Sequence, residues 1–161
     1  MKLRRGPLLP DEARAGLPVE DGERVIAAGR TGDGGWAAAT GLALVTADGR
    51  TPWVDVAHAQ WYDEQRVLVL DLVPGAGPSR RIGLADPGRL PETVHERVMA
   101  SIVLSRRFAV PGGAVRVVAR RADGSTDTVW QVVPDAGTDL TTPEARAAAD
   151  AAVATLAAEL G

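Results

Sequence analysis

The stretch TPWVDVAHAQWYDE, residues 51–64, holds two of the four tryptophans, the single tyrosine and one of the two histidines. A histidine beside carboxylates is ordinary material for general acid–base catalysis. His58 with Asp55 or Asp63 would suit a hydrolase. The same spacing has a plainer reading. In an extended chain alternate side chains share a face, so Ala57, Ala59 and Trp61 line one side while His58, Gln60 and Tyr62 line the other. A large tryptophan beside small alanines fills the interior of a narrow barrel, which leaves His58 on the wet face. Pro52 favours a strand start or an edge, and Asp55 suits a bend between PW and VAHAQWYD. The stretch is therefore read as the hydrophobic spine of a small β-domain.

Other chemistry-bearing residues are sparse. His95-Glu96 lacks the second histidine of a zinc-protease helix, because position 99 is Met. Two histidines and no cysteine exclude a His-rich or thiolate metal site, and no cofactor motif is present. GRTGDGGW (29–36) has neither phosphate-loop spacing nor a following helix, and reads as a hairpin turn. The serines at 79, 101, 105 and 125 lie in no nucleophile-elbow context. Asp71, within VLVLDLV, needs a partner, and a nearby arginine is the simplest one. The tryptophans at 36, 53, 61 and 130 all fall on predicted strands and supply most of the aromatic bulk, as core residues do. An exposed one such as Trp53 would serve a ligand. Four arginine pairs occur, at 4–5, 80–81, 106–107 and 120–121. On strands each pair sends one charge to each face, so Arg81 and Arg120 are the candidates for an anion.

The elements that would position these groups follow from periodicity. The chain has 161 residues and a formal charge of -3, enough for one domain with a real core. The charge argues against wholesale affinity for nucleic acid. Residues 1–20, proline-containing and without period, read as a flexible arm, with no signal-peptide apolar run after the basic start. Residues 21–161 read as a single domain. From 23 to 84 about six short strands alternate with tight turns, among them Asp33-Gly34 and Asp48-Gly49. RVLVLDLV reads as a strand buried on both faces. PETVHERVMASIVLSRRF (91–108) has helical spacing at Val94, Val98, Met99, Ile102 and Val103. AVRVVARRADGSTDTVWQVVPD reads as an extra hairpin. The last segment is a helix with Thr142 as N-cap, Pro143 next, then Glu144.

ERVIAAG, GWAAATGLALVT, TPWVDVAHAQW and RVLVLDL, taken in order, resemble the bacterial PH-like and GRAM-like domains over residues 23–108. HERVMASIVLSRRF and the C-terminal VWQVVPDAG and PEARAAADAAVATLAAELG are similar to an uncharacterised actinobacterial family. The resemblance implies an α+β fold: a PH-like antiparallel β-barrel with an internal helix, an extra hairpin and a C-terminal helix. It implies protein, peptide or lipid binding more readily than catalysis. The loop RTGDGG lacks the basic cluster of phosphoinositide-binding members.

The functional expectation is a non-enzymatic, cytoplasmic interaction module. Its partner would be a protein or peptide, met at a sheet edge or on the Ala-rich terminal helix. The chain would be a monomer or homodimer, with no nucleic-acid partner and no membrane span. The alternatives are a small-molecule or lipid-headgroup binder using Arg81, Arg120, His58 and Trp53, with weak membrane-surface contact, and the His58 hydrolase.

Overall fold

Tight turns at Gly34, Gly49 and Gly124, each with a positive φ that glycine adopts without strain, punctuate a strand-rich chain. The computed structural model describes residues 9–161. The basic start and the pair Arg4-Arg5 lie outside them. The described chain is α+β, with ten strands in two antiparallel sheets and three helices. It divides into two compact units. The first runs to Ser101 and takes in Ala122–Ser125. The second comprises Ile102–Arg121 and Thr126–Gly161.

In the first unit seven strands form one sheet: β1 (Val25–Thr31), β2 (Trp36–Thr40), β3 (Ala43–Thr46), β4 (Gly49–Pro52), β5 (Val56–Tyr62), β6 (Val67–Leu72) and β7 (Arg80–Asp86). Their spatial order is β4-β3-β2-β1-β7-β6-β5. The expected closed barrel of about six strands is thus a seven-stranded sheet with β4 and β5 as its edges. The seventh strand arises within the opening stretch. Pro52 ends β4, and Trp53–Asp55 form a 3-10 turn that re-aims the chain into β5.

Helix α2 (Leu90–Ala100) begins with Pro91 in its first turn and Glu92 at its positive end. Its buried residues Leu90, Val94 and Val98 join Leu44, Trp53, Val56, Leu68, Leu70, Ile82 and Leu84 in the main core. The helix stops at Ala100 rather than reaching Phe108, and Met99 and Val103 are exposed. Ile102–Val110 is a strand, because its side chains alternate and it pairs antiparallel with Gly113–Arg120 across the turn at Pro111-Gly112. β6 also departs from expectation. Leu68 and Leu70 are buried, whereas Asp71 points to solvent, so β6 buries one face fully.

The β1–β4 sheet is apolar on both sides. Ala37, Ala39 and Leu44 face the main core. Ala28, Ala38, Ala43 and Val45 form a second cluster on the other side, covered by Leu9, Leu17, Val19, Val25 and Trp36. Within the segment read as an arm, Asp11–Ala15 form one short helix, α1. Glu23 and Arg50 fasten the chain that follows it. Arg50 donates to both Glu23 carboxylate oxygens, at 2.6 and 2.9 Å, and to the Pro18 carbonyl at 2.9 Å. The Thr40 hydroxyl adds a bond of 2.6 Å to the same carboxylate.

In the second unit β8 (Ile102–Val110), β9 (Gly113–Arg120) and β10 (Val129–Pro134) form a sheet ordered β10-β9-β8. The predicted hairpin is present as β9 and β10, and β8 extends it. One face carries Leu104, Phe108, Val115, Val117, Trp130 and Val132. Helix α3 (Pro143–Leu160) seals that face with Ala152 and Leu156. Ala145, Ala149, Ala152 and Leu156 are buried at spacings of four, three and four, the helical stripe. Thr142 caps α3, accepting from the Ala145 N–H at 3.3 Å. Arg106 forks onto Glu159 at 2.9 and 3.0 Å.

Candidate functional site

β5 sets the candidate site because its alternation holds. Ala59 and Trp61 pack on the main core, while His58, Gln60 and Tyr62 are exposed. Across the strand pair His58 stands opposite Asp71 of β6, with Nδ1 3.7 Å from the carboxylate. The Ser79 hydroxyl donates to the other Asp71 oxygen at 2.6 Å. The partners of Asp71 are therefore a serine and a histidine, not an arginine.

A serine, a histidine and an aspartate within reach invite a nucleophilic reading, but their order is wrong for it. A serine nucleophile needs the imidazole next to it to take its proton, with the carboxylate behind the imidazole. Here the carboxylate sits between the two. His58 does not meet its expected partners either. Asp63 accepts from the Trp61 indole N–H at 3.2 Å, on the core side of the strand, and Asp55 belongs to the 3-10 turn. His95 is exposed on α2.

Of the other predicted binding residues, Trp53 is 3% exposed, and its indole N–H donates to the Thr40 carbonyl at 2.8 Å. It is a core residue and offers a ligand no surface. Each remaining tryptophan packs on a core cluster, Trp36 and Trp61 in the first unit and Trp130 in the second. Arg120 is also 3% exposed, and burial pulls its guanidinium below the ordinary arginine range. It cannot present a charge to a dissolved anion. Strand alternation alone took no account of the packing that buries Arg120.

Arg81 is exposed and lines a cleft of about 400 Å³ at one end of the first unit, with Thr31, Trp36, Thr46, Arg80 and Gly83. Arg80 is held there by the Thr46 hydroxyl at 3.0 Å and by the Thr51 hydroxyl. The same cleft contains Asp33 and Asp48. The GRTGDGGW segment forms the β1–β2 hairpin turn beside it. The Thr31 hydroxyl and the Gly35 N–H hold the Asp33 carboxyl below its usual range. Two acids opposite two arginines leave the cleft polar and close to neutral.

Sequence reasoning expected a sheet edge but did not assign it to β5. β5 ends the seven-strand order, and among the described residues its ladder partner is β6 alone. The signal lay in Pro52 and Asp55, which separate β4 from β5. Among the described residues no three His, Cys, Asp or Glu side chains gather to hold a metal ion, and no helix is long and apolar enough to cross a membrane. Comparison with protein-family models, curated proteins and solved structures finds no match to this chain.

Proposed function

We propose that this chain is a non-enzymatic interaction module whose first unit, a PH-like scaffold, takes an extended segment of a protein or peptide partner at the β5 edge. The strand order β4-β3-β2-β1-β7-β6-β5, followed directly by a helix on the core, supports the scaffold. The observation that carries the function is the β5 edge, seven residues long and presenting His58, Gln60 and Tyr62. An added strand would draw affinity from main-chain bonds and selectivity from these alternate side chains. The other edge of the sheet is a poorer host, because β4 has four residues and ends in Pro52. The terminal helix spends its apolar stripe on its own sheet, which favours the edge over the helix as the docking place.

Proline scanning of β5 tests the reading. Successive N–H groups on a strand point to opposite sides. Of Ala59→Pro and Gln60→Pro, one therefore removes a donor to β6 and the other removes an outward donor. The tagged chain is used for capture from its own host, and thermal melting identifies which variant is milder. Loss of a stoichiometric partner in the milder variant supports strand addition. Retention of the partner in both variants, or a solitary protein, overturns it.

A second reading rests on the cleft. Exposed Arg81 beside the anchored Arg80 suits a small anion, either a free phosphate or a lipid headgroup. Titration with inorganic phosphate and with anionic vesicles, read by tryptophan fluorescence, tests it. A response lost in Arg81→Glu favours this reading over the edge.

A further inference from the structure

An open strand edge accepts another extended chain unless charge, proline or a bulge obstructs it. The two sheets end in β4 and β5 in the first unit and in β8 and β10 in the second. β4 carries Arg50 and ends in Pro52, β8 carries Arg106 and Arg107, and β10 ends in Pro134. β5, with the sequence VAHAQWY, has no Lys, Arg, Asp, Glu or Pro. Its irregularity is the register shift between Val56 and His58. A bulge bends an edge only locally, so the regular stretch is His58–Tyr62, which pairs residue by residue with Asp71 to Val67 of β6. Gln60 is the centre of that stretch.

We propose that the β5 edge receives β5 of a second copy of this chain, antiparallel, about a two-fold axis at Gln60. The proposal rests on the edge reading above and names its occupant. A two-fold contact uses the same patch on both copies, so the patch must complement itself. This register does so. On the axis Gln60 meets its own copy, and a primary amide both donates and accepts. Ala59 meets Trp61 of the second copy, small against large, and both lie partly buried on the core side of the strand. His58 meets Tyr62 of the second copy on the outer side, where both are exposed and Tyr62 is 41% accessible. Imidazole and phenol are hydrogen-bonding partners. Charge selects the same register. Centred on Gln60, the acid that follows the strand, Asp63, comes opposite Ala57; centred on Ala59, it would come toward Asp55 of the second copy, acid against acid. The net charge of -3 on each copy adds a mild repulsion, and five pairs make a small interface, so the dissociation constant should be about 10 µM.

The test is sedimentation equilibrium of the full chain from low to high micromolar concentration. The parent chain should pass from monomer to dimer across this range. Gln60→Glu and Gln60→Lys, each alone, should weaken the dimer by about tenfold or more, because like charges meet on the axis. Gln60 is exposed, so both variants keep the fold. Mixed in equal amounts, the two variants should associate at least as tightly as the parent, a rescue that only a register opposing residue 60 to itself allows. A chain that stays monomeric, a dimer that Gln60→Glu leaves intact, or a mixture that does not recover overturns the proposal. A monomeric chain whose host partner is still lost in the milder β5 proline variant overturns the second copy as occupant and leaves the edge reading standing.

Discussion

Replacing Glu23 by Gln should remove a large, pH-dependent part of the stability of the first unit. The Glu23 side chain is 7% exposed. Its carboxylate receives two bonds from Arg50, one from the Thr40 hydroxyl and one from the Glu20 N–H at 3.0 Å. The Arg50 fork leads these in holding the group down, from 4.5 to about 2, against the opposing effect of burial. At ~1.36 kcal/mol per pH unit this difference corresponds to about 3 kcal/mol of folding free energy. A carboxylate depressed on folding contributes fully above its unfolded value. Its contribution is then lost as pH falls from about 4.5 toward about 2. Urea unfolding of the parent chain and of Glu23→Gln, compared at each pH, cancels the titration of the other acids. A gap of about 3 kcal/mol at neutral pH that closes below pH 4.5 is expected. A gap under about 1 kcal/mol at neutral pH, the size of an exposed pair, would refute the reasoning. So would a gap that does not change with pH.

Trp53→Phe keeps most of the apolar volume but strands the Thr40 carbonyl, so urea unfolding should register a loss of about 1–3 kcal/mol. Gly113→Ala would place a methyl group 2.1 Å from Thr138 Oγ1 and 2.9 Å from its Cβ. Overpacking should cost about 1–3 kcal/mol, recovered in part by adding Thr138→Gly, with thermal melting as the check. Thr142→Ala removes the α3 cap and should lower stability by about 1 kcal/mol, read by the helical circular-dichroism signal during urea unfolding. His58→Ala breaks an exposed pair 3.7 Å apart and should change stability by less than about 1 kcal/mol, again by urea unfolding.

Much of the architecture was legible because local chemistry specifies it. The Asp-Gly turns, the Thr142-Pro143-Glu144 start of α3 and the alternation from Ala57 to Tyr62 all rest on neighbouring residues. What sequence misread depends on pairing and packing that residue type alone does not show. Val94, Val98 and Ile102 continue a helical spacing, but Ile102 also begins an alternation through Leu104, Arg106 and Phe108. The strand wins because the segment pairs along its length with β9 across the Pro111-Gly112 turn, and the two share an apolar face that α3 covers. The opening stretch looked like one bent strand. Pro52 and the turn at Trp53–Asp55 make it two, which creates the β5 edge. Arg120 and Trp53 were offered as ligand contacts because residue type does not reveal burial. Asp71 was singled out as a carboxylate buried among apolar residues and paired with an arginine; it is exposed, and its neighbours are His58 of β5 and Ser79 of the loop before β7.

The two-sided β1–β4 sheet bears on how this protein can diverge. Ala37, Ala38 and Ala39 are wholly buried, with alternate methyl groups pressed into different clusters. A larger side chain at any of them has no solvent to turn toward, and glycine would open a gap and loosen the strand. In an evolving lineage this alanine run would change slowest. The β5 edge would be freer to drift, because His58, Gln60 and Tyr62 are held by little besides what they meet. Relatives that share the WAAAT strand but differ along β5 would have one scaffold and different partners.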